Sequence, residues 1–199
     1  MISDHSERRP LLTDPEVLEA LAHPVRLDLL TYLMSAGPAT ASTCARAVGD
    51  TPSNCSYHLR TLGRHGLVEP VQSDDRRQRP WRATITGFSI DPNADPDTPQ
   101  GRSSAAVLSA SLALEQGLLR DYLANRDRVS DAWREADFGS NYTLHITPDE
   151  LSELNAKIDA LLRPLIAAHR SEAPPSAELV HVNVFAFPRI GEPWKRPPR

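Results

Sequence analysis

Two cysteines are all that the sequence of 199 residues contains, and both Cys44 and Cys55 fall in one helical stretch. So few thiols build no disulfide framework, and no charged n-region with an apolar h-region opens the chain; a reducing, cytoplasmic setting is expected. Apolar runs are short as well. Arg, Asp or Glu interrupts each of them well before the roughly 20 residues that a membrane span needs, so no membrane partner is expected. Also missing are a glycine-rich phosphate loop, a nucleophile motif and any ligand grouping at metal spacing. The chain therefore reads as no enzyme, with no cofactor and no metal. Its paired acids Asp149 and Glu150 are better explained as charges at a helix start. An excess of one charge is lacking too: 22 Lys and Arg stand against 26 Asp and Glu, a net of −4. That excludes a basic character spread over the whole chain and leaves only a local one.

What is present is an ordinary globular composition, 40% apolar and 24% charged, long enough to bury a real core and read here as two parts. The charge is unevenly placed. From Arg46 to Arg82 seven arginines face four acids, whereas residues 91–199 hold twelve bases against sixteen acids. Residues 1–12 show no period and read as a flexible arm. Thr13 or Asp14 then caps a short helix over 15–22. Pro24 opens a second helix through Leu27, Leu29, Leu30, Leu33 and Met34, which Gly37-Pro38 ends. A third helix starts at Thr40 or Ser42, carries Ala41, Cys44, Ala45 and Val48 inward and stops at Gly49. A fourth begins after Thr51, turns Leu59, Leu62 and Leu67 inward, and stops near His65-Gly66. Two β-prone runs follow, 67–72 and 81–85, joined by the polar loop 73–80 as a hairpin.

Three short helices, a fourth with a polar outer face and a hairpin with a basic loop are the parts of a winged helix-turn-helix. The major groove of B-DNA is about as wide as one α-helix, so a short helix held at an angle presents side chains to base edges. Ser53, Asn54, Ser56, Tyr57 and Arg60 lie mainly on the outer and leading surfaces of the fourth helix. Asn suits adenine, Arg suits guanine or phosphate, and Ser or Tyr suits phosphate oxygens. The hairpin loop DDRRQRPWR adds Arg76, Arg77 and Arg79, with Arg82 just beyond, where a wing lies along the phosphate backbone or reaches into the minor groove. Trp81 reads as the pin that holds the wing to the helical core. The expected partner is double-stranded DNA. Solvated charge on both surfaces, or a winged-helix module that binds protein through the same helix, stands as the alternative.

The runs LEALAHPVRLDLLTYL and SNCSYHLRTLGRHGLVEP, with a wing ending RPWRAT, resemble the ArsR-type winged helix-turn-helix regulators over about residues 14–88. The resemblance implies a dimeric repressor on a pseudo-palindromic operator, its first and post-wing helices forming the homodimer interface. The sequence departs from the metal-sensing members, which place a Cys pair on the third helix or His and Asp ligands on the post-wing helix. Here Cys44 stands alone on the third helix, and no His lies between Ala105 and Asn125. A metal- or redox-responsive regulator using Cys44 or Cys55 is the lesser reading, and Cys55 reads mainly as filler. His23 and His58 belong to the resembling motif, where they form local hydrogen bonds.

The implied fold class is mainly α with small β elements (α+β): a winged helix-turn-helix, then a helical dimerisation segment and a small α/β C-terminal region. The domain reading is an arm at 1–12, a DNA-binding domain at 13–90, a proline- and aspartate-rich linker at 91–101, a dimerisation and effector region at 102–190, and a tail at 191–199. Within that region a long helix runs from Ser103 or Ser104 to about Asn125. A short helix carrying Trp133 follows near 129–136, then a strand over 141–147 with Tyr142, Leu144 and Ile146 alternating. Thr147-Pro148-Asp149-Glu150 starts an amphipathic helix, in which Pro164 predicts a kink or restart, and 179–187 reads as a second strand. Trp133, Phe138, Tyr142 and Phe185, beside sparse polar groups, read either as a domain core or as the walls of a site for a small organic effector that modulates operator affinity. Pairing of this extension with its twin is a further reading.

Overall fold

A computed structural model describes residues 10–72, 79–91, 93–137, 139–172, 174 and 176–188. It divides into two compact units, Met1–Phe138 and Gly139–Arg199, so the linker at 91–101 lies inside the first.

The first unit is built on four short helices whose ends are set by the residues that punctuate them. Helix α1, Pro15–Leu21, is capped by Asp14, which accepts from the Glu16 N–H at 2.9 Å. Helix α2, Pro24–Ala36, starts at a proline and ends at Gly37, whose φ of 79° closes the helix in a conformation that suits glycine. Helix α3, Ala41–Val48, runs from a Thr40 cap to a left-handed Gly49. Helix α4, Pro52–Arg64, starts at a Thr51 cap, with Pro52 in the first turn where a missing N–H costs nothing. Leu18, Leu21, Leu29, Leu30, Leu33, Leu59 and Leu62 meet in a core at 0–1% exposure. At about 25 cal/mol per Å² of apolar surface buried, such a cluster is what holds the four helices together.

Two small sheets complete the unit. Strands β2, Val68–Pro70, and β3, Trp81–Ala83, pair antiparallel with Val68 opposite Ala83 and Pro70 opposite Trp81, the expected hairpin. Strand β1, Leu11–Leu12, pairs in parallel with β4, Ser89–Ile90. The described end of the expected N-terminal arm is thus a strand: Leu12 and Ile90 pack on the core, and the pairing supplies hydrogen bonds that a free arm would take from water. Residues 1–9 and the tail at 191–199 lie outside the described residues.

Helix α5 runs from Pro99 to Asn125, starting ahead of the Ser103 or Ser104 expected from sequence. Thr98 is its cap, accepting from the Gly101 N–H at 3.1 Å, and Pro99 is its first residue rather than a linker proline. Gly101 is required there, because a Cβ would sit 1.9 Å from the Asp95 carbonyl oxygen. The first turns of α5 bury Gly101, Ser104 and Val107 against α1 and α2. At its far end Arg126 grips Asp137 with two hydrogen bonds of 2.8 and 3.1 Å and also reaches the Arg134 carbonyl at 3.0 Å, while Tyr122 bonds Asp137. This clamp ties the end of the short helix α6, Asp131–Ala136, to the end of α5.

The second unit is helix α7, Pro148–Glu172, with irregular chain on either side. Its start is a reciprocal capping box, in which the Glu150 N–H donates to Thr147 Oγ1 at 3.2 Å and the Thr147 N–H to Glu150 Oε2 at 2.7 Å. The helix continues through Pro164 without the expected restart. The strands expected at 141–147 and 179–187 do not form. Alternation marks the face that a strand would bury, but the ladder must come from a second strand, and neither segment has one. Among the described residues of this unit none is buried.

Candidate nucleic-acid interface

The face of α4 that would meet a duplex is set by what its other face buries. Cys55, His58, Leu59, Thr61 and Leu62 point into the core, which leaves Ser53, Tyr57, Arg60 and Arg64 exposed at steps of four, three and four residues. Such spacing makes one continuous stripe along the helix, with two arginines in its second half. Tyr57 is 55% exposed, an aromatic ring held out from the body. Arg64 extends the stripe one turn beyond Arg60 and was missed from sequence, although the i, i+4 step from Arg60 marks it. It donates to Thr61 Oγ1 at 3.1 Å, which steadies its stem against the helix.

Ser56 is half-buried at the edge of the stripe. Asn54 is exposed, but its amide is engaged: Nδ2 donates to Asp50 Oδ2 at 2.6 Å and its backbone N–H to Thr51 Oγ1 at 3.2 Å. The other Asp50 oxygen takes the Thr51 N–H at 2.6 Å. Hydrogen bonds from Thr51 and Asn54 hold the Asp50 carboxyl below its usual range. In this arrangement Asn54 orients the start of α4, and adenine contact by its amide would first break the bond to Asp50.

Helix α3 packs against α4, and α2 backs both, the arrangement of a helix-turn-helix. The hairpin is fastened to this body at its root. Ala39 and Trp81 exchange two backbone hydrogen bonds of 2.9 and 2.8 Å, and the Trp81 ring lies over Gly63 of α4. Thr84 closes the other side, its hydroxyl donating to the Gly66 carbonyl at 2.6 Å. Trp81 therefore pins the hairpin as its place among basic residues suggested. Arg79 is exposed next to the hairpin tip, whereas Arg76 and Arg77 lie outside the described residues. Arg82 is tied across the strands to Glu69, with Nε and Nη2 at 2.7 and 2.6 Å from Oε1. Tyr57, Arg60 and Arg64 of α4, with Glu69, Pro70 and Trp81 of the hairpin, line one shallow groove. Helix stripe and hairpin root thus share a surface.

Behind α4, His23 and His58 stack at 4.6 Å between ring centroids, tilted by 41°. Burial, with the neighbouring His23 and Arg26 charges, lowers the His58 pKa, and Asp50 only partly opposes this. The Nδ1 atoms of both histidines are buried without a protein partner, so the expected local hydrogen bonds are not made at these nitrogens. Cys44 and Cys55 are both fully buried. Burial pushes the Cys44 thiol up to about 11 and raises that of Cys55, so neither supplies the exposed thiolate that redox sensing or soft-metal binding requires.

Four aromatics are read from sequence as the walls of an effector site. Trp133 is half-buried on α6 of the first unit, Tyr142 and Phe185 of the second unit are 76% and 59% exposed, and Phe138 lies outside the described residues. No described helix is long and apolar enough to cross a membrane. Residues 21–71, from the end of α1 to just beyond β2, match the family model of a helix-turn-helix domain. No curated protein matches the chain. The matched segment carries the α4 stripe, which makes the chain a DNA-binding regulator.

Proposed function

We propose that this helix-turn-helix regulator is a homodimeric, cytoplasmic transcriptional repressor of the ArsR-type winged-helix kind, with no catalytic activity of its own. The observation that carries the reading is the exposed stripe Ser53, Tyr57, Arg60 and Arg64 on a helix whose opposite face is fixed in the core. A helix seated so firmly loses little freedom when it enters a groove, and its arginines supply both guanine and phosphate contacts. Homodimerisation draws support from α5. Leu108, Leu112, Leu119 and Leu123 are 45–61% exposed along one side, at steps of four, seven and four, beyond the turns that pack on α1. Operator recognition by such a dimer, with α1 at the edge of the interface, requires two α4 helices spaced for successive major grooves roughly 34 Å apart. Repression follows when the operator overlaps a promoter. No effector is included in the proposal.

The test is selection of fragments from the source genome by the purified protein, followed by binding measurements at several salt concentrations. Affinity should fall steeply with salt, as counterion release demands. Replacement of Arg60 or Arg77 by Ala should weaken binding while the fold holds. Unchanged affinity in both variants, or binding indifferent to salt, would sink the reading.

A further inference from the structure

The leading end of α4 is closed on itself. Asp50 stands just ahead of the helix and spends both carboxylate oxygens on it: Oδ1 accepts the Thr51 N–H and Oδ2 the Asn54 side-chain amide, each at 2.6 Å. The Asn54 backbone N–H goes to Thr51 Oγ1 at 3.2 Å, and Pro52 has no N–H to offer. Donors of this kind are what the start of a helix ordinarily turns toward a phosphate. Here the chain's own oxygens occupy them. The same hydrogen bonds hold the Asp50 carboxyl below its usual range, so it is ionised at neutral pH.

Thr51, Pro52, Ser53 and Asn54 are nevertheless exposed, and the first turn of a recognition helix is where side chains reach base edges. Asn54 has suitable chemistry, since its amide can pair with both N6 and N7 of adenine. Two costs stand against that pairing. The bond to Asp50 is charge-assisted, a class about twice as strong as neutral hydrogen bonds, so exchanging it for a neutral adenine contact recovers little. The carboxylate left behind would then face a phosphate-lined groove without the amide that screens it. We infer that Asp50 is a positioning residue for operator choice: it withholds the Asn54 amide from the bases, so that sequence is read from Tyr57 and Arg60 rather than from the first turn of α4. The inference rests on α4 being the helix that enters the groove. It adds that one base reader of the helix is silenced from within.

Selection of binding sites from a pool of randomised duplexes by the full-length chain tests this. The wild-type chain and Asn54→Ala should select the same motif with closely matching affinities. Asp50→Ala should add an adenine where the wild type shows no preference, favoured on the order of tenfold, the discrimination of a bidentate asparagine–adenine pair. The Asp50→Ala, Asn54→Ala double variant should lose it again. Asp50→Ser, whose hydroxyl is too short to hold the amide, should gain the same adenine and covers the case in which Ala alone disturbs the helix start. A residue that served only to stabilise that start would shift the melting temperature and leave the motif alone. An unchanged motif in both Asp50 variants, an adenine that survives the loss of Asn54, or a loss on the order of tenfold in Asn54→Ala alone would overturn the inference and leave DNA binding standing. A wild-type chain that selects no duplex would take both down.

Discussion

The two units of the chain handle apolar side chains in opposite ways. Among the described residues every buried side chain lies in the first unit, between Leu18 and Val107, while the second exposes leucines, valines and phenylalanines alike. Composition does not separate them, since both are rich in Leu and Val. What differs is closure. The helices of the first unit turn their apolar faces onto one another within about ninety residues, whereas α7 has one apolar seam and no neighbour in its own unit to receive it. A polypeptide that is fully specified in secondary structure can still be unfinished in tertiary structure.

The sharpest way to break that contrast is to hollow each unit in turn. Leu30→Ala or Leu59→Ala removes a fully buried side chain and should cost about 2–5 kcal/mol of unfolding free energy. Leu161→Ala, on the exposed side of α7, should change the same denaturant-monitored transition by less than about 0.5 kcal/mol. Equal losses would show that α7 shares the first unit's core.

A second test separates holding from reading on one helix. Arg60→Ala should cost about 1–3 kcal/mol of operator affinity, read by fluorescence anisotropy, with the melting temperature unchanged. Arg64→Ala should fall in the same direction. A drop in stability equal to the drop in affinity would mean that the stripe serves the fold.

Acid should act on the first unit. His58 has its pKa lowered below 6.5 in the folded chain, so the unfolded chain binds the proton more readily. Stability is then full above about pH 6.5 and declines as pH falls from there toward the folded value. The change should read out as an earlier melt on acidification, and His58→Gln should flatten the profile over that window. The smallest effect belongs to the hairpin. Glu69 and Arg82 are 45% and 57% exposed, so Glu69→Gln should cost no more than about 1 kcal/mol, and less in high salt.

Much of the first unit was legible because its signals are local. Pro15, Pro24 and Pro52 open helices and Gly37, Gly49 and Gly66 close them, each for a steric reason that needs no distant partner. The stripe on α4 followed from the positions of Leu59 and Leu62. Sequence reasoning failed where the deciding partner was far away. Strand β1 is two residues long, too short for a period, and exists because Ser89 and Ile90 lie beside it. Pro99 was counted with the linker because nothing nearby shows that the backbone of Asp95 folds over Gly101. His58 went unread as an inward residue because its partner, His23, stands a whole helix-turn-helix away in sequence. The absent strands of the second unit show the limit from the other side: alternation was present and the edge to pair with was not.

The clasp between Ala39 and Trp81 has a further consequence for how grip is divided. With its base anchored to the turn ahead of α3 and propped on Gly63, the hairpin cannot swing as an independent flap. The ordering entropy of the hairpin's base is thus spent during folding, before a duplex arrives.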